Sequence, residues 1–343
     1  MAAPLSVSAS DGPPRTLRLH LWWTTVLVLA ALGGAGLAVA ADRPGNPVQR
    51  PELTYRADTA AQPWIDHMAV DLDAATSDAT DLAADGRNVL DSLQALDRAA
   101  ADQALAAGDQ TAAHLSNLVA SLRDTESRAH TEIERWRLGP QAVSLFDQID
   151  KAIAAAQDVA ADWQGLAAVG RTVVALLEGF NDHDQAVIGA TSAGRASNWN
   201  DALGLLNGAA ADGLTVVSAA RDQLAQSGTV DTLDDLLGRE RAYDAALVAL
   251  YQYLANGGAQ SGPKFQHLKD AVDQAQAALP ADNNALVVIV GESSGVPIAD
   301  ELLAMDTAHG VINDALEAIT DAKTGGQGTD QTPLETQAPT AAP

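Results

Sequence analysis

From Met68 to Ala100 the small and apolar residues recur at alternating intervals of four and three: Met68, Leu72, Ala75, Ala79, Leu82, Gly86, Val89, Leu93, Leu96 and Ala100. That rhythm places all of them on one stripe of an α-helix, whereas a strand would send neighbouring positions to opposite faces. A stripe this long needs a partner along its whole length, so the chain is constrained to long helices lying side by side. The uninterrupted pattern predicts one helix over about 59–107, stopped by Gly108, with Asp109 or Thr111 capping the next.

The same pattern continues. Leu115, Leu118, Leu122, Ala129, Ile133 and Trp136 share a face, and Leu138-Gly139-Pro140 closes that helix and opens another. Phe146 through Leu177 keep register in a third helix, expected over about 140–178. Asn181-Asp182-His183-Asp184 reads as a polar turn, followed by a short helix and a weak spot at 189–194. A longer helix comes next, with Trp199, Ala202, Leu206, Ala209, Gly213, Val216 and Ala220 on its seam. Leu233 to Leu254 form a fifth before Gly257-Gly258, Pro263 opens a sixth, and the last is expected over about 297–321.

Composition supports this. Alanine supplies 71 of 343 residues and aromatics only 4%, which favours closely spaced helices over a bulky core. The expected fold is all-α: an antiparallel bundle of long helices. A helical-repeat solenoid is the rival, hinted at by Trp199-Asn200-Asp201-Ala202-Leu203 echoing Tyr243-Asp244-Ala245-Ala246-Leu247.

Residues 21–41 contain no charged side chain, and at ~1.5 Å per residue they reach roughly 31 Å, the thickness of a bilayer's hydrocarbon core. Arg15 and Arg18 precede the run, and Trp22 and Trp23 sit where an interfacial belt would lie. Basic flanks stay cytoplasmic, so the expected order is a cytoplasmic segment 1–20, a transmembrane signal anchor 21–41, a proline-containing linker 42–57, an extracytoplasmic helical domain 58–323 and a disordered tail 324–343. Ala38-Val39-Ala40 also has the form of a peptidase site, and cleavage after Ala40 would make the protein secreted. The tail is expected to add no second span.

The formal charge of −25 disfavours nucleic acid and anionic headgroups as partners of the folded part. There is no cysteine, which excludes disulfides and thiolate chemistry. Gly291-Glu292-Ser293-Ser294-Gly295 matches a nucleophile elbow after the strand-like run 286–290, with Asp306 and His309 as the available acid and base. An elbow needs a parallel sheet, and no second β-like run supplies one; His309 falls instead on the seam of Ile298, Leu302 and Met305, expected to be buried.

Asp182-His183-Asp184 could ligate a metal, but the carboxylates read more simply as caps of a following helix. His67 with Asp71 and His130 with Glu134 stand at i, i+4 as solvated pairs. The acidic stretch from Asp71 to Asp85 lacks a calcium-loop spacing. No cofactor or metal is expected. The leading functional expectation is a non-enzymatic structural or protein-interaction module, tethered by its N-terminal helix and meeting a partner at the cell envelope. The alternative is a small-molecule-binding or sensory ectodomain with Trp163, Trp199, Tyr243 and His309 lining its pocket; a serine hydrolase using Ser293 is a minor third.

Overall fold

The computed structural model describes residues 51–133, 137–226 and 228–326. The expected cytoplasmic segment, the apolar run 21–41, most of the linker, Trp136, Glu134 and the tail beyond 326 lie outside the described residues. Within them the chain is all-α, and seven helices are packed as a bundle. They are α1 (Pro51–Gln94), α2 (Arg98–Glu132), α3 (Pro140–Arg195), α4 (Trp199–Leu205 and Ala211–Leu224), α5 (Asp231–Ala255), α6 (Pro263–Ala278) and α7 (Asn284–Val290 and Val296–Gly326). Two of them contain a π-helical turn, Leu206–Ala210 in α4 and Gly291–Gly295 in α7.

The chain divides into two compact units. The smaller contains residues 51–65 and the described part of 127–146. Ala61, Ile65, Ala129 and Phe146 form its interior, and Asp58 accepts a hydrogen bond from the Gly139 backbone amide at 2.8 Å. Residues 51–57, expected to belong to the linker, are helical and form the first turns of α1, with Pro51 suited to that position.

The larger unit holds 66–126 and the described part of 147–326. Side-chain pairs define its helix directions. Asp71 meets Ser121 and Asp78 meets His114, so α1 and α2 run oppositely. Asp109 receives the Trp163 indole N–H at 3.1 Å and Arg123 reaches Gln157, so α2 and α3 do too. Arg87–Asp306 and Asp66–Lys323 set α7 against α1 in the same sense. Thr172–Gln223 pairs α3 with α4, and Arg221–Asp234 with Arg241–Ser218 pairs α4 with α5. In consequence α5 lies parallel to α3.

Three helices of this unit end in the same way. After α1, α4's predecessor α3, and α5, a residue with positive φ occupies the position past the helix end: Leu96 at 55°, Ser197 at 64° and Gly257 at 83°. Each is followed by an amide bonded five residues back, Asp97 to Ser92, Asn198 to Ala193 and Gly258 to Tyr253. This is the Schellman terminator, which normally uses glycine. Only Gly257 was legible as a stop.

The first helix accordingly ends at Gln94 instead of running to 107, and Asp97 caps α2 by accepting the Ala100 amide at 3.0 Å. Gly108 is no terminator; a Cβ there would stand 2.0 Å from the Trp163 ring, so its missing side chain seats the indole. Likewise the expected turn at 181–184 and weak spot at 189–194 are continuous helix, and α3 runs to Arg195. Helix α3 is buried on more than one side, and a second stripe of Leu166, Val173, Leu176, Phe180, His183, Val187 and Ala190 carries it onward.

Helix α4 shows a register change. Its seam was expected to continue through Ala209 and Val216, yet Ala210 and Val217 are buried and Val216 is 43% exposed. Gly213 and Ala220 are buried as expected, and the extra residue of the π-turn turns Ala210 and Val217 inward in place of Ala209 and Val216. This helix is also the one among the described residues with the length and apolar composition to cross a membrane, but Ala202, Leu206, Val217 and Leu224 pack into the core.

Candidate functional site

The polar side chains that converge most closely lie where α3, α4 and α5 cross. Gly179 and Gly213 meet there: a Cβ on Gly213 would come within 2.8 Å of the Gly179 carbonyl and the His183 amide. Two glycines thus let α4 press on α3 and seal His183, which is 1% exposed. Its Nε2 lies 3.0 Å from Asp244 Oδ2 on α5, and its Nδ1 lies 3.3 Å from Asp184 Oδ1.

Both ring nitrogens face carboxylate oxygens, an arrangement that only the imidazolium satisfies, since a neutral ring would turn a lone pair toward one of them. Burial drives the imidazole toward neutrality, but the hydrogen bonds to Asp184 and Asp244 and the charges of Asp244 and Glu240 overcome it, and the pKa is raised to about 9. Asp244 has a second oxygen, Oδ1, that is buried without a hydrogen-bond partner. Glu240, one turn before Asp244, is pushed up to about 7, first by burial and then by Asp184 and Asp244, with His183 acting the other way. Burial also raises the Tyr243 phenol.

A partly open cavity of about 260 Å³ adjoins this cluster. His183, Asp184 and Phe180 of α3, Glu240, Tyr243 and Leu236 of α5, and Leu279, Pro280 and Asp282 of the segment after α6 form its wall. A second, shallower hollow is lined by Asp244, Arg241, Ser218 and the π-turn residues Leu206 and Asn207.

The residues singled out in the sequence are dispersed. Asp182 is exposed and, with Asp184, lies inside α3 and not at the start of a helix, so neither caps one. His67 is exposed, and Asp71 accepts from Ser121. Among the described residues no group of three or more His, Asp or Glu is placed to hold a metal ion. The run 286–290 is helical, and Ser293 sits in the π-turn of α7 with its hydroxyl donating to the Ile289 carbonyl at 2.6 Å. Asp306 pairs with Arg87, and His309 is half-buried with Nε2 3.3 Å from the Thr80 hydroxyl, in place of the buried seam position expected for it.

Of the four residues proposed to line a pocket, only Tyr243 lines the cavity beside His183. Trp199 stacks on Tyr251 with ring centroids 5.9 Å apart, and Trp163 is core beside Gly108. Asp244, Glu240 and the burial of His183 were missed; the signal available was the second apolar stripe of α3, which places His183 at a core position. No protein-family model matches the sequence, and no curated protein or solved structure matches it either.

Proposed function

We propose that the protein is a membrane-tethered, extracytoplasmic helical module that works by holding a protein partner, without catalysis of its own. Residues 21–41 support the tether by length, absence of charge and the arginines on their leading side. The observation that carries the interaction role is an open trough between α3 and α7. Ala154, Ala155, Ala304 and Ala308 floor it, Leu303 stands 67% exposed with Val311 beside it, and Asp158, Asp162 and Asp300 border it. An apolar floor with exposed aliphatic side chains and a charged rim is how helix-in-groove recognition is built.

A photo-crosslinking residue at Leu303 in intact cells is expected to trap one protein of defined size, while the same residue at exposed Ser197 traps none. Protease added outside the cells should digest the helical domain. Equal trapping at both positions would refute the interaction role, and protection from protease would refute the placement.

The cavity beside His183 favours a second reading, a small-molecule-binding ectodomain. It combines aromatic and aliphatic walls with a few fixed polar groups, as ligand sites do.

A further inference from the structure

We propose that the cavity between α3, α5 and the segment after α6 binds a compact organic cation, an amine with an apolar body of about phenethyl size. The inference rests on the small-molecule reading above and names the ligand's chemistry.

The walls divide by character. Phe180, Leu236 and Leu279 offer an apolar surface, and Tyr243 adds an aromatic ring to the lining. The charged groups facing the cavity are His183 and Asp184 from α3, Glu240 from α5 and Asp282 from the segment after α6, with Asp244 behind His183. The imidazolium is the one cation among them, and both its N–H groups are already directed at Asp184 and Asp244. Asp282 is engaged by the backbone and side-chain amides of Asn284 at 3.0 and 2.6 Å. Glu240 is left as the half-buried carboxyl with no hydrogen-bonded cation; burial, reinforced by Asp184 and Asp244 and only partly offset by His183, pushes it up to about 7.

An ammonium group beside Glu240 supplies that missing charge, and its apolar body covers the aliphatic wall. An anion would meet three carboxyl groups. For a metal ion the carboxylates do not converge: among the described residues no group of three or more His, Asp or Glu is placed to hold one. Binding the ammonium ionises Glu240 and releases its proton, so affinity rises as pH passes through about 7.

The test uses the full chain in phosphatidylcholine nanodiscs, titrated calorimetrically with phenethylamine, 2-phenylethanol and phenylacetate, with empty discs subtracted. Phenethylamine should bind saturably and tighten about tenfold between pH 6 and 8, the change in ionised fraction for a group titrating near 7. The alcohol should bind at least about tenfold more weakly, which is ~1.4 kcal/mol, and phenylacetate should not bind. Glu240→Gln should bring the amine down to the alcohol's affinity and abolish its pH dependence. Leu279→Trp, which fills the cavity and leaves the carboxyls in place, should abolish binding of every probe, with circular dichroism verifying that both variants fold. If amine and alcohol bind equally and both are lost in Leu279→Trp, the cavity binds ligands but the cationic inference is overturned. If no probe saturates, or Leu279→Trp changes nothing, the small-molecule reading falls with it.

Discussion

His183 gives the sharpest energetic prediction, because it is sealed from solvent and bracketed by carboxylates. A rise in pKa from 6.5 to about 9 corresponds to about 3 kcal/mol of preferential stabilisation of the protonated ring in the folded state. Because the folded value is the higher one, that contribution is fully present below about pH 6.5 and is lost as pH climbs through about 9. Glu240 is also raised, so its ionisation costs stability from about 4.5 up to about 7, just below the histidine's window. Working in a Glu240→Gln background removes that overlap. Urea unfolding of Glu240→Gln and of the His183→Gln, Glu240→Gln double variant, followed by far-UV circular dichroism between about pH 6 and 10, should give a stability difference that shrinks as pH rises, by less than the full ~3 kcal/mol because the Glu240 charge no longer supports the imidazolium while Asp184 and Asp244 still do. A direct ring titration by NMR should show a midpoint well above the usual histidine range. A difference that stays flat, or grows with pH, would refute the imidazolium and with it the account of how this crossing is held together.

Three further outcomes follow from packing. Gly108→Val should lower stability by about 1–3 kcal/mol in thermal melts, because any side chain there displaces the Trp163 ring and its bond to Asp109. Ser197→Gly should raise stability by up to about 1 kcal/mol by relieving the positive φ at an exposed position, and Ser197→Val should lower it; equal melts for both would contradict the terminator. A fluorophosphonate probe should label neither the native chain nor Ser293→Ala, since the hydroxyl is buried and bonded to Ile289; labelling that vanishes in the variant would restore the elbow reading.

The all-α class and the packing of the helices as a bundle were legible because a 3.5-residue stripe needs no tertiary knowledge to detect. Pro140, Pro263 and Gly257 gave correct boundaries, since proline and glycine act through local backbone sterics. Leu96 and Ser197 did not, because their positive φ is imposed by the Schellman bonds of the folded chain and leaves no mark in residue type. The converse error came from Gly108 and from Gly194 in the expected weak spot, where glycine records a close neighbour, Trp163 and Tyr251, and not a bend. His183 was hidden among polar neighbours: Asn181, Asp182 and Asp184 look like a turn, and only the facing helices reveal that one residue of the four points inward.

The extra residue in the π-turn of α4 has a consequence for tolerance to deletion. Removing a residue from the middle of a helix ordinarily swings everything beyond it by about 100° and exposes half the core. Here, loss of exposed Asn207 would let the turn close into ordinary α-helix while Leu214 and Val217 stay aimed at the same partners. The chain therefore carries a point at which it can be shortened by one residue without disturbing what lies on either side.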